Sequence, residues 1–187
     1  MYGLINKAVR GLVFDQFGED AWRRIRLAAG VTDDDFIAMD DYDDTITYAL
    51  VQAASSELSL EPEQVLQAFG EYWVDYVADE NYGHLMQTAG QTFPEFLSNL
   101  DQMHARVKLT FPNLQPPSFS VTDETDDSLH LHYFSSRAGL APLVVGLLHG
   151  LGRRFETEVE VESGREGEGS NAHDVFYVKY RRIAGQT

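Results

Sequence analysis

Apolar residues recur at steps of three and four through the first 110 positions and alternate with polar ones beyond them. Leu4, Ile5, Ala8, Val9, Leu12, Val13 and Phe17 share one helical face, and Gly18 follows where a C-terminal cap belongs. A second, short helix is predicted from about Asp20 to Ala29, stopped by Gly30. Asp43 or Asp44 can cap a third, which carries Tyr48, Leu50, Val51 and Ala54. Pro62 suits the first turn of a fourth, with Val65, Leu66, Phe69, Trp73 and Val77 along one side. A loop near 81–83 precedes a short helix to Ala89, closed by Gly90.

The clearest helix start is Thr92-Phe-Pro-Glu95, which has the spacing of a capping box with Pro94 in the first turn. One helix is predicted from there to the segment 111–118, which holds Pro112, Pro116 and Pro117. Its apolar face reads Phe93, Phe96, Leu97, Leu100, His104 and Val107, so His104 points with the apolar stripe. Beyond the prolines, 119–121 and 129–133 flank an acidic turn and predict a hairpin. Pro142 opens a helix of Leu143, Val144, Leu147, Leu148, Leu151 and Phe155. Residues 157–162 and 175–180 alternate and can pair across the Gly- and Glu-rich stretch 163–171. No internal repeat is present. The expected class is α+β: a mainly helical N-terminal part packed on a C-terminal part with an antiparallel sheet and an inserted helix.

Composition narrows the chemistry. A length of 187 residues fits one domain, and a formal charge of −16 argues against nucleic acid or an anionic membrane as partner. No apolar run reaches membrane-spanning length and no signal-peptide pattern opens the chain, so the expected compartment is the cytoplasm. With no cysteine, a disulfide framework, a thiolate zinc site, an iron–sulfur cluster and a thioether-linked haem are all excluded. A metal or haem must be held by histidine, carboxylate, tyrosine or methionine. His84, His104, His130, His132, His149 and His173 are the histidines available.

An imidazole on a buried helix face needs a partner. On the helix alone, a core histidine bonded to a carbonyl is the simpler reading of His104. A neutral imidazole is also a good ligand for haem iron, presented rigidly at the edge of an apolar slot. In Tyr133-Phe-Ser135-Ser-Arg137 an extended chain would aim a phenol, a hydroxyl and a guanidinium at one spot, a set suited to carboxylates. Taken alone, such a string is a solvated strand end. His130 and His132 alternate on a strand, but two ligands without a third make a weak metal site. His84 and His173 are read as loop residues and His149 as a surface or interface residue. The acidic runs 33–35 and 40–44 lack calcium-loop spacing and read as a solvated face, and no phosphate-binding or nucleophile-elbow motif appears.

Together, a helical His, a Pro-Pro loop and Y-x-S-x-R some thirty residues later resemble the H-NOX (haem–nitric oxide/oxygen binding) family. MYGLINKAV at the N-terminus, FGEYW (Phe69–Trp73), LDQMHARV (Leu100–Val107) and LLHGLG (Leu147–Gly152) look like it too, most of all like its cyanobacterial-type members. The resemblance covers residues 1–180 and implies one domain over 1–181, with a tail at 182–187. Within it, a helical subdomain of about 1–65 faces a haem-proximal, β-containing one of about 66–181, with haem b buried between them. It also implies His104 as the proximal iron ligand, Tyr133, Ser135 and Arg137 at the propionates, and Ile5 and Pro117 packed on the porphyrin.

Trp73, Val77, Leu143 and Leu147 would form the distal pocket. Oxygen-binding members carry a distal tyrosine in the helix after the triplet, and residues 138–152 contain none. The implied ligands are therefore nitric oxide and carbon monoxide. Binding would weaken the His104–iron bond, relax the haem and signal, without catalysis, to a histidine kinase or cyclic-nucleotide enzyme in trans. The competing classes are a haem- or metal-dependent enzyme and an apolar-ligand domain without metal.

Overall fold

The computed structural model describes residues 1–32, 35–78, 83–111 and 113–183. The loop expected at 81–83 therefore falls largely outside the described residues, as do Asp33, Asp34, Pro112 and 184–187. Of the expected tail, Arg182 closes the last strand.

The element α1 (Gly3–Ala28) is bent at Gly18, whose φ of 81° and ψ of 173° interrupt the helix. Glycine reaches that positive φ without steric cost, so the predicted pair of helices is present, with the break between them at Gly18. Asp43 caps α2 (Asp44–Leu58) by accepting the Thr45 backbone N–H at 2.8 Å. Pro62 opens α3 (Pro62–Val77), where Gln64 Oε1 accepts the Glu61 N–H at 2.9 Å. Next come α4 (Gly83–Gln87), which carries His84, then α5 (Phe93–Ser98) and α6 (Leu100–Thr110).

The single helix predicted from Thr92 is thus two. Asn99 leaves helical geometry (φ −101°, ψ 4°) while its side-chain amide donates to the Ala89 carbonyl at 2.8 Å. An amide competing for distant backbone breaks the run that periodicity continued. Thr92 Oγ1 accepts the Glu95 N–H at 3.4 Å, but Glu95 Oε2 accepts from Gln91 N at 2.8 Å instead of completing the capping box.

Four antiparallel strands, β1 (Ser118–Thr122), β2 (Ser128–Phe134), β3 (Thr157–Glu166) and β4 (His173–Arg182), lie in the order β1-β2-β4-β3. The last two run longer than predicted, so His173 starts a strand, and α7 (Ala141–Arg154) is inserted between β2 and β3. Phe119, Leu131, Tyr133, Phe176 and Val178 pack from one sheet face against α5 and α7. A separate core gathers Val9, Leu12, Trp22, Ile25, Leu50 and Phe69 from α1, α2 and α3. Within it, buried Thr47 donates to buried Asn6 Oδ1 at 2.7 Å and ties α2 to α1.

Helix α3 feeds both cores and meets α7 backbone to backbone. A Cβ on Gly146 would stand 2.0 Å from the Gln67 carbonyl oxygen, and one on Gly70 2.2 Å from that of Leu143. The expected α+β architecture is the observed one.

Candidate functional site

A cavity of ≈ 350 Å³ opens between the two cores, walled almost entirely by apolar side chains. Ile5, Trp73, Val77, His104, Pro117, Tyr133, Ser135, Arg137, Leu143 and Leu147 all line it. The structure therefore brings together every residue expected at the haem site, from α1, α3, α6, α7, β2, the turn after β2 and the proline loop.

His104 projects from α6 beside Phe119, with ring centroids 5.7 Å apart. Its Nδ1 lies 3.3 Å from the Pro117 carbonyl oxygen. A carbonyl only accepts, so Nδ1 carries the proton and Nε2 keeps its lone pair. Burial pushes the His104 pKa down, with the Pro117 hydrogen bond and the Asp101 charge opposing. Burial, the largest effect, favours the neutral imidazole, and the Pro117 bond then leaves Nε2 as its basic nitrogen. Asp101 also holds the proline loop to α6, accepting from Phe119 N at 2.8 Å and from Ser118 Oγ at 3.2 Å.

The triplet converges, though by a different path from the predicted extended chain. Strand β2 ends at Phe134, and Ser135 Oγ accepts the Arg137 N–H at 3.0 Å, which bends the backbone. Tyr133 is buried, and burial raises its pKa while the Ser135 hydroxyl bonded to it pulls the other way. Arg137 grips a carboxylate, with Nε 2.7 Å from Asp44 Oδ2 and Nη2 3.4 Å from Oδ1, while Nη1 donates to the Gln115 carbonyl at 2.8 Å.

Asp44 also accepts from the N-terminal ammonium at 2.7 Å, while Asp41 lies 3.5 Å from that ammonium. The Arg137 hydrogen bond holds the Asp44 carboxyl below the usual carboxylate range, against the opposing effect of burial. The 40–44 run is thus more than the solvated face expected of it. Sequence reasoning treated Asp44 only as a helix cap and did not reach Asp101. Its position three residues before His104, on the same helix face, was the available signal for Asp101.

Trp73 is half-buried, 6.0 Å from the Phe69 ring and 6.1 Å from that of Tyr76. It borders both the cavity and the helical core.

The family profile described as Haem-NO-binding matches residues 2–163. The chain belongs to that family. A protein of Caenorhabditis elegans named "Soluble guanylate cyclase gcy-31" is 30% identical over 163 residues, 87% of this chain and 23% of its own length. The "Guanylate cyclase soluble subunit beta-2" of Rattus norvegicus is 32% identical over 132 residues, 66% of this chain and 19% of its own. The chain thus spans a quarter or less of the length of these two relatives.

An H-NOX protein from S. oneidensis in the Fe(II)NO ligation state superposes with a TM-score of 0.85 at 17% identity, covering 97% of this chain and 100% of that one. A mutant Fe(II) unliganded H-NOX protein from K. algicida gives 0.82 at 22%, covering 97% of each. At such identities these structures speak for the fold. The haem-NO-binding domain is related to the sensor regions of soluble guanylate cyclases, and among its described residues no helix is long and apolar enough to cross a membrane.

Proposed function

We propose that this domain is a cytoplasmic haem-based gas sensor, with haem b in the cavity and His104 as the axial ligand to its iron. The observation that carries this is the carbonyl-oriented imidazole of His104 on the wall of an apolar cavity. Histidine ligands to metals are held in just this way, the second ring nitrogen donating to a fixed acceptor. Arg137, with the hydroxyls of Tyr133 and Ser135 beside it, would hold the propionates, for which its guanidinium would have to share or release the Asp44 carboxylate that it grips here. Ile5 and Pro117, which line the cavity, would pack against the porphyrin.

Bound there, ferrous haem supplies an open coordination position for nitric oxide or carbon monoxide. Trp73, Val77, Leu143 and Leu147 line the cavity and would shield a bound gas from water, with the Trp73 indole as the single side-chain N–H donor among them. We read the cavity as the seam between bodies of about 1–65 and 66–181.

His104 is the moving part. Of the described α6 residues only Leu100 is buried, so a change in how His104 is held shifts a weakly anchored helix against the Pro117 loop. The proposed output is a change in the activity of a signalling protein. A cyclic-nucleotide enzyme is supported by the names of the curated relatives, and a histidine kinase is the other class implied by resemblance.

His104→Gly tests the reading. The purified variant should lose the Soret absorption of the wild type and regain it with added imidazole. Full haem retention with an unchanged spectrum would place the ligand elsewhere.

A further inference from the structure

Alternation along β2 turns Leu131 and Tyr133 to the core and His132 to the opposite, outer sheet face. There His132 meets His173, the first residue of β4, and Glu166, the last of β3, with ligating atoms all within 4.8 Å of one another. Strand order creates the group: Glu166 pairs with His173 across β3 and β4, while His132 pairs with Val175 two residues along. The third ligand missing from the sequence reading is supplied by segments more than thirty residues away, and His130 is turned instead to Asp123 at 3.0 Å.

Hydrogen bonds fix which nitrogens are free. His173 Nδ1 lies 2.8 Å from the Asn171 carbonyl oxygen, which only accepts, so His173 Nε2 bears a lone pair. Thr122 has one hydroxyl proton, and it goes to the Asp123 carboxylate 3.0 Å away. His132 Nε2, 2.9 Å from Thr122 Oγ1, must then donate to that oxygen, which leaves His132 Nδ1 bare. These two bare nitrogens face each other at 2.9 Å. Two lone pairs at that distance need either a proton shared between them or a metal ion that both nitrogens reach from the side, and the Glu166 carboxylate adds negative charge at the same point. Phe134 stacks on His173 at 4.2 Å and holds its plane, while the Tyr177 hydroxyl donates to Glu166 at 3.2 Å.

We infer that the outer sheet face binds a divalent transition-metal ion through His132 Nδ1, His173 Nε2 and the Glu166 carboxylate, separately from the haem cavity. Two imidazoles and one carboxylate with solvent completing the shell suit Zn²⁺ and its first-row neighbours better than Ca²⁺ or Mg²⁺. Nitrogens about 2.0–2.1 Å from a tetrahedral ion stand roughly 3.3 Å apart, so the rings, whose centroids are 5.1 Å apart, need to part by a few tenths of an ångström and to turn from their head-on line toward a common point. A bound ion would clip the β3–β4 hairpin to β2.

The test is calorimetric titration of tag-free, haem-loaded protein with Zn²⁺, alongside zinc K-edge absorption, which is blind to the haem iron. One ion per chain in a mixed N/O shell containing imidazole is expected. His132→Ala, His173→Ala and Glu166→Gln should each weaken binding at least about tenfold, while His130→Ala should leave it unchanged. The Soret band serves as the check on folding, and the exposed, isosteric Glu166→Gln keeps the test decisive should a histidine variant misfold. No stoichiometric binding, affinity unaltered by His173→Ala or Glu166→Gln, or equal weakening by His130→Ala would overturn the site and leave the pair sharing a proton.

Discussion

Replacing Gly146 with alanine pits two effects of opposite sign against each other. In a helix interior, alanine is favoured over glycine by about 0.8–1.0 kcal/mol. Against that gain, the new Cβ would stand 2.0 Å from the Gln67 carbonyl oxygen and 2.8 Å from its carbonyl carbon, where ordinary contact begins at 3.4 Å. The obstacle is α3 backbone, so no rotamer relieves it and the helices must separate by more than an ångström. Overpacking of this kind costs about 1–3 kcal/mol, and backbone contact this close belongs at the upper end.

The net expectation is about 2 kcal/mol of destabilisation, or roughly 4–8 °C in melting temperature for a domain of this size. Circular dichroism melts of the haem-loaded wild type and Gly146→Ala measure it. Because Leu143 and Leu147 flank Gly146 on α7 and line the cavity, the same displacement should change the carbon monoxide spectrum. An unchanged or raised melting temperature would refute the claim that glycine is needed for close helix approach.

Asp44→Asn should destabilise the protein in a pH-dependent way. With the wild-type carboxyl pKa lowered by Arg137, its contribution is complete above the unfolded value of about 3.9 and is lost as pH falls through the lower folded one. A gap in urea midpoints that does not narrow on acidification would contradict this. Burial holds His104 neutral, so the unfolded chain takes up its proton first, and cofactor-free protein should lose stability as pH drops below about 6.5. His104→Leu should flatten that slope; an identical slope in the variant would exclude His104 as its source. The ferrous protein mixed with air should show no persistent oxy spectrum, because Val77, Leu143 and Leu147 offer no proton to a bound dioxygen. A stable oxy band that disappears in Trp73→Phe would instead assign the Trp73 N–H as its donor.

Helix starts, strand alternation and the apolar stripe through His104 were readable because they depend on neighbours within a turn or two. Asn99 escaped because its partner, the Ala89 carbonyl, belongs to a different helical segment. The bend after Phe134 escaped for a more local reason, a serine hydroxyl outcompeting strand geometry. Family motifs led to His104, Tyr133, Ser135 and Arg137, yet Asp44 looked like an ordinary cap until folding brought it to Arg137.

The order of apolar and polar residues by itself determined most element starts and the α+β class, and the composition determined the absence of any thiolate chemistry. Those properties follow from backbone sterics, side-chain periodicity and composition. Tertiary structure alone decided the strand order β1-β2-β4-β3, the glycine contact of α3 with α7 and the carboxylate gripped by Arg137. The same holds for the grouping of His132 with Glu166 and His173. Each of these joins residues far apart in the chain, and such pairings are selected by burial of a shared core rather than by any local preference.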